Sequence, residues 1–218
     1  MKPDKQYKGR STIRMFNMDC GQYMNACKRD SYQLSIVDPP YGIDASRMTM
    51  GKGSGNDLKK HDTTKKWDMN VPSNDYFRPL FHISINQIIW GGNYFNLRPS
   101  RCWLLWDKMD YNSDFASHEM AWTSFDKVVK CFRRSRSKGG DNKNKIHPTQ
   151  KPVQLYKWLL TNYANEGDTI FDSHGGSMSI AIACWDLGFD LDICELDTDY
   201  FNDAVKRFEN HISQTQLF

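Results

Sequence analysis

Long apolar runs are missing from this chain. No stretch of its 218 residues is long and apolar enough to span a bilayer, and Met1-Lys2-Pro3-Asp4-Lys5 has no apolar signal region. A disulfide framework is missing too: Cys20, Cys27, Cys102, Cys131, Cys184 and Cys194 are dispersed and show no close pairing. They read as reduced thiols, several in apolar surroundings, and the expected location is the cytoplasm. No set of cysteines and histidines has metal-site spacing, so no metal is expected; His61 and His118 sit in polar surroundings and read as exposed. There is no GxGxxG, no internal repeat and no clear domain boundary. The chain therefore reads as a single domain, residues 1–218. Hydrophobic content is low at 39%, but an aromatic share of 13% can supply core volume.

The net charge of +3 hides an asymmetry. Between Glu166 and Glu209 acids face only Lys206 and Arg207. From Lys127 to Lys145 the balance reverses, and Asp141 alone opposes the bases. A second basic stretch holds Lys52, Lys59, Lys60, Lys65 and Lys66. Such blocks are usually solvated loops, yet two of them in Gly-rich contexts suit a polyanion. The acidic end would repel that partner, so the two regions do different jobs.

Along the chain, strands alternate with helices. Residues 1–10 are polar and basic and are expected to be loosely ordered. Thr12 to Asn17 alternates as a strand, and a short helix from about Gly21 to Cys27 follows. Leu34-Ser35-Ile36-Val37 is a buried strand. Residues 43–69, with Gly51, Gly53 and Gly55 and no apolar period, are expected to form a mobile loop. Ser73 or Asn74 can cap a helix running toward Asn86. Strands are expected at Gln87–Trp90, Cys102–Trp106 and Ala121–Phe125, where Trp90, Trp103, Trp106 and Trp122 read as core. A helix is expected from Val153 to Ala164 behind Pro152. After Gly167, a strand at Thr169–Phe171, a helix from Met178 to about Leu187 ended by Gly188, a strand at Leu191–Glu195 and an amphipathic helix toward Phe208 complete the chain. This order implies an α/β fold with a mainly parallel sheet covered on both faces.

Two stretches carry chemistry. Asp38-Pro39-Pro40-Tyr41 ends a buried strand, because two prolines cannot continue a ladder, and it places Asp38 and Tyr41 at the carboxyl edge where α/β sheets bind ligands. A plain surface turn is the competing reading. The second stretch is a half-Rossmann unit: strand, the turn Asp172 to Ser177, a helix, and a second strand ending in Glu195, about twenty residues beyond Gly175 and Gly176. Glycines allow close backbone approach to a ligand, and a carboxylate at the second strand's end can accept both ribose hydroxyls. Asp172 suits a ligand with a cationic end. The competing reading is a plain turn with Glu195 solvated.

In combination these stretches resemble the amino-group (N6-adenine or N4-cytosine) DNA methyltransferases that use S-adenosylmethionine. Asp38-Pro39-Pro40-Tyr41 looks like their catalytic motif, and Phe171 to Ser177 looks like their cofactor loop, usually FDPFxGSG, with Ser173 and His174 replacing Pro and Phe. His147-Pro148-Thr149-Gln150-Lys151-Pro152 resembles a segment that precedes that loop in the permuted, beta-type branch. Asn17-Met18-Asp19-Cys20 resembles the family's GDC turn. Trp90 to Phe95 and Trp103 to Lys108 resemble stretches of phage and bacterial members. The branch normally carries a target-recognition insertion where this chain has only a basic loop at residues 126–146.

The resemblance implies a Rossmann-like class I methyltransferase fold and transfer of a methyl group to the exocyclic N6 amine of adenine in DNA, with the target base flipped out. Asp38 and the carbonyl of Pro39 would accept the amine's hydrogens, Pro40 would fix the turn and Tyr41 would stack on the base. The implied cofactor residues are Asp19, Cys20, Asp38, His147, Thr149, Lys151, Asp172, Ser173, Gly175, Gly176, Ser177, Glu195 and Leu196. Lys59, Lys60, Lys65, Lys66, Lys130, Arg133, Arg134, Arg136 and Lys138 are the candidates for DNA phosphates. With so few residues for recognition, specificity is expected to be short, relaxed or completed by a second protomer. The resemblance further implies DNA as partner, a homodimer in common with many members of the branch, and a bacterial, phage or restriction-modification setting. N4-cytosine methylation and a catalytically silent partner subunit are the alternatives.

Overall fold

The computed structural model describes residues 1–42, 72, 74–110, 116–135, 146–147 and 149–215. Its strands are β1 (Lys5–Lys8), β2 (Thr12–Phe16), β3 (Tyr32–Val37), β4 (Ser84–Trp90), β5 (Trp103–Asp107), β6 (His118–Thr123), β7 (Lys130–Arg133), β8 (Thr169–Asp172) and β9 (Asp190–Cys194). The helices are α1 (Cys20–Ala26), α2 (Asn74–Ile83), α3 (Val153–Tyr163), α4 (Ser179–Leu187) and α5 (Thr198–Thr215). The strands form one sheet in the order β1-β2-β9-β8-β3-β4-β6-β5-β7. From β2 to β4 all neighbours are parallel. β6 enters antiparallel between β4 and β5, and β1 is antiparallel at one edge.

Residue alternation along the central strands divides the core between two faces. Ile36, Ile88, Trp90, Ile170, Leu191 and Ile193 pack with buried residues of α3, α4 and α5. Val37, Ile89, Phe171 and Cys194 point the other way, toward Tyr23 and Met24 of α1 and Phe77, Leu80 and Ile83 of α2. A sheet buried on both sides explains why its strands read as near-continuous apolar runs. Trp90, Trp106 and Trp122 are core residues, as expected, while Trp103 is half-buried. All six cysteines are free thiols; Cys131 is exposed. Among the described residues no helix is long and apolar enough to cross a membrane.

Three expectations need correction. Residues 5–8 are not loose: they pair with β2, and Tyr7 packs on Phe208 with its hydroxyl donating to Glu209 at 2.6 Å. Alternating charged side chains hid a strand that is held mainly by its backbone. α2 stops at Ile83 instead of continuing toward Asn86, because Ser84 already pairs with Tyr32 in the parallel ladder and turns its hydroxyl back to the Leu80 carbonyl at 2.8 Å. Thirdly, the basic segment is not wholly a loop. Lys130–Arg133 pairs with β5, Phe132 packs on Trp158, and Trp106 Nε1 donates to the Arg134 carbonyl at 3.0 Å. The expected mobile loop at residues 43–69, with His61, lies outside the described residues.

Candidate active site

Parallel pairing of β2, β9, β8, β3 and β4 brings their carboxyl ends to one edge. Asp19 follows β2, Asp38 follows β3, Gly91 and Gly92 follow β4, Asp172 ends β8 and Glu195 follows β9. Residues far apart in sequence thereby share one rim.

At the centre of that rim both oxygens of Asp38 are engaged. Tyr41 donates its hydroxyl to Oδ1 at 2.5 Å, and Lys151 Nζ lies 2.5 Å from Oδ2. Lys151 is also 3.0 Å from Glu119 Oε2, and Glu119 Oε1 is 2.7 Å from Lys108 Nζ. Burial raises the Asp38 pKa above the ordinary carboxylate value, with Lys151 opposing it. Burial also disfavours the Lys151 ammonium, but Asp38 and Glu119 together hold its pKa above that of an ordinary lysine. For Glu119 the two lysines outweigh burial and bring the carboxyl down to about 2. Lys151 thus opposes the effect of burial at Asp38, and the two lysines together favour the Glu119 carboxylate.

The glycines after β4 are there for space. Gly91 has φ 68°, and a β-carbon on it would lie 2.2 Å from Tyr41 Cε1. A β-carbon on Gly92 would meet Trp122 Cβ at 2.4 Å and its backbone nitrogen at 2.9 Å. These contacts seat Tyr41, whose ring stacks on Tyr94 with centroids 5.2 Å apart and planes 16° from parallel. That spacing leaves no room for a third ring between them.

The second centre is the turn between β8 and α4. Glu195 Oε2 accepts from the Gly176 N–H at 2.7 Å and Oε1 from the Asp197 N–H at 2.9 Å, so the carboxylate is fixed but keeps lone pairs for further donors. Gly175 serves the protein itself: its N–H donates to the Cys194 carbonyl at 2.7 Å, and a β-carbon would press on that same oxygen at 3.2 Å. Gly176 has φ 49° and a β-carbon there would stay 3.8 Å from the His147 ring, so this glycine supplies the left-handed turn. His147 packs edge-on against Tyr200 and shares a 3.1 Å hydrogen bond with Thr149 Oγ1. Asn17 Nδ2 donates to the carbonyls of Glu195 and Leu196 at 2.8 and 3.3 Å. Asp19 caps α1 by accepting from the Gln22 N–H at 2.9 Å, and burial pushes the Cys20 thiol up to about 12. Ser177 offers its carbonyl to Arg207 Nη1 at 2.6 Å.

Asp172 is buried and accepts the His174 N–H at 3.0 Å. Burial drives its pKa well above the ordinary value. Among the described residues no Lys or Arg is ion-paired with it, which leaves an acid suited to a cationic ligand. Ser173 Oγ lies 2.6 Å from the Tyr76 hydroxyl and 2.8 Å from His174 Nδ1. Tyr76 comes from α2, so the opposite face of the sheet closes this turn.

Comparison with known proteins follows the same geometry. Residues 95–206 match the N6/N4 family model described as DNA methylase, a span containing the turn, Glu119 and Lys151 but not Asp38. The chain belongs to this DNA methylase family. A 76-residue segment is 36% identical to the type II methyltransferase M.HpaI of Haemophilus parainfluenzae; the match covers 33% of this chain and 23% of that relative's length. The fold is that of DNA methyltransferases. The crystal structure of M1.HpyAVI in complex with SAM superposes with TM-score 0.58 at 16% identity, covering 89% of this chain and 99% of that one. The cytosine-N4-specific PvuII DNA methyltransferase gives TM-score 0.59 at 14% identity, covering 90% and 86%.

Within this methylase fold the structure separates the sequence candidates into two centres. Asp38, Tyr41 and Lys151 form one; Asp172, Ser173, Gly175, Gly176, Glu195 and His147 gather at the other. Lys151, expected with the cofactor residues as Asp38 also was, contacts the methylase's Asp38 directly. Of the phosphate candidates, Lys130 is exposed on β7, Arg134 is half-buried, and Arg133 is exposed but ion-paired with Asp107 at 3.0 Å. Lys59, Lys60, Lys65, Lys66, Arg136 and Lys138 lie outside the described residues. Sequence reasoning missed Glu119, Lys108 and Tyr76. Glu119 and Lys108 are neighbours only through the antiparallel β5–β6 ladder, in which Trp106 pairs with Glu119; the one signal was acids and bases within otherwise apolar strands.

Proposed function

We propose that this chain methylates the exocyclic N6 amine of adenine in DNA, using S-adenosylmethionine, with the target base turned out of the helix. The observation that carries the reading is Asp38 at the carboxyl end of β3, beside the turn that ends β8. The donor set fits the cofactor: Glu195 for ribose hydroxyls, buried Asp172 for the cationic amino end, and the Gly176 turn between them. S-adenosylmethionine, when bound, supplies an electrophilic methyl group. Everything else is done by the chain's own residues.

An exocyclic amine is a weak nucleophile because its lone pair is delocalised into the ring. Asp38 and the Pro39 carbonyl can each accept one of its hydrogens, which frees the lone pair and fixes its direction. The carboxylate also stabilises the positive charge that grows on nitrogen. Held geometry supplies much of the rate. Unstacking the base costs a few kcal/mol; stacking on an aromatic ring offsets part of it. Tyr41 supplies that ring on the Tyr94 side once the two stacked rings part. Lys130 and the other basic residues supply phosphate contacts and the salt dependence that accompanies them.

The adenine reading rests on the acid at the first motif position. Cytosine N4 is the second reading, supported by the fold likeness to the cytosine-N4-specific PvuII enzyme. Incubation with labelled cofactor and DNA, digestion to nucleosides and identification of the labelled base decides between them. N6-methyladenosine is expected; label in cytosine, or none, defeats the reading. Asp38→Ala should abolish transfer and leave cofactor binding in place, whereas undiminished transfer by that variant removes Asp38 from the chemistry.

A further inference from the structure

The charges around Asp38 continue along the same edge of the sheet, past β4 to β6 and β5. Lys151, whose side chain is 2% exposed, bridges Asp38 and Glu119, and Lys108, 7% exposed, closes the far side of Glu119. The four groups come from the end of β3, the segment before α3, strand β6 and the residue after β5. Assembling two buried ammoniums and two carboxylates is costly, and apolar packing would often do as well for stability. The arrangement also has an order: it begins at Asp38, the carboxylate proposed for the substrate, and passes through Lys151 and Glu119 to Lys108.

We propose that Lys151 is a positioning residue for Asp38 and that Glu119 is its anchor, holding the ammonium in place when an incoming amine competes for the Asp38 carboxylate. The proposal rests on Asp38 being the acceptor for the target amine. Among the described residues, the charged and titratable groups facing Asp38 are Lys151, Tyr41, Glu119, Tyr156, Tyr76 and Asp172. Burial holds the three tyrosines neutral, and Glu119 and Asp172 are acids. Among the described residues Lys151 is therefore the cation that opposes burial and favours the ionised form of Asp38. Without it, burial and two neighbouring acids favour the protonated carboxyl, which accepts hydrogen bonds poorly and cannot offset charge on the amine. Glu119 gives Lys151 a second carboxylate 3.0 Å away, so the ammonium is never stranded when Asp38 turns to the substrate.

The test compares the 218-residue chain with its Lys151→Met and Glu119→Gln variants. Single-turnover methyl transfer to DNA is followed across the acid and neutral pH range, with cofactor affinity titrated in parallel. Lys151→Met should slow transfer by about a hundredfold and move the acid limb of the profile up by about one pH unit or more, with cofactor affinity kept. Glu119→Gln should move the limb the opposite way, to lower pH, because it deletes a negative charge near Asp38, and should also slow transfer at neutral pH, because the Lys151 ammonium loses its anchor. A merely structural role would not displace the limbs in opposite directions. Limbs that stay put or move together overturn the proposal, as does a Lys151→Met variant whose loss is entirely in cofactor affinity. Should Lys151→Met fail to fold, the Glu119→Gln shift decides alone. A wild-type chain that methylates no DNA overturns both this proposal and the functional reading; wild-type transfer with unmoved limbs overturns this proposal only.

Discussion

At the residue scale, one histidine of the turn after β8 carries a pH dependence. His174 is bonded to Ser173 and packed edge-on against Tyr76, and burial lowers its pKa from 6.5 to about 4. The unfolded chain takes up a proton near pH 6.5, whereas the folded chain resists until about 4. The neutral imidazole's contribution is therefore complete above the upper value and is lost as pH falls through that window, by as much as about 1.4 kcal/mol per unit. Urea unfolding midpoints measured against pH should fall across this range, and His174→Gln should flatten the fall. Equal slopes in both proteins would show that the ring charges without penalty. The resemblance drew attention to His174 only as a departure from the usual Phe; its partner Tyr76, about a hundred residues earlier, could not be read from the turn.

The glycine pair after β4 acts at the element scale. It joins a buried strand to the short 3-10 turn Gly92–Tyr94, and its lack of side chains seats the Tyr41 ring and the Trp122 backbone. Gly91→Ala would impose a left-handed conformation costing about 1–2 kcal/mol and would drive a methyl group into Tyr41. Thermal unfolding should register the first effect. A loss of methyl transfer larger than the loss of stability explains would register the second, while a variant of unchanged rate would show that the seat of Tyr41 is unimportant. The strands β3, β8 and β9 were legible because double-sided burial makes them continuous apolar runs. β1 and β7 were not, since edge strands with charged side chains are held by backbone pairing that leaves no apolar period.

For the whole molecule, one buried carboxylate ties the cofactor half of the sheet together. Asp192 of β9 accepts two bonds from Arg14 of β2, at 2.5 and 3.0 Å, and one each from Tyr23 of α1 and Tyr32 of β3 at 2.7 Å. Asp192→Ala would strand half of an ion pair and leave Tyr23 and Tyr32, whose hydroxyls lie 2.8 Å apart, short of an acceptor for one buried hydroxyl proton. Because Arg14 is 40% exposed and can rehydrate, a cost of about 2–3 kcal/mol is expected. A denaturation midpoint within error of wild type would refute this. The network also fixes the registry of the strands that carry Glu195 and Asp172, so the variant should weaken cofactor binding beyond any effect on local contacts.

The sequence by itself determined the alternation of strands and helices, the two loops that carry Asp38 and Asp172 to Ser177, and the family likeness. These are local properties, written in turn residues and burial periods. Only the tertiary structure decided that Lys151 belongs to Asp38, that Glu119 and Lys108 continue its charge array, and that Tyr76 closes the turn from the other face. Parallel strand order brings such residues together, and pairings between distant strands leave no period or spacing to read along the chain. Asp38 could thus be recognised alone, but its pairing with Lys151 could not.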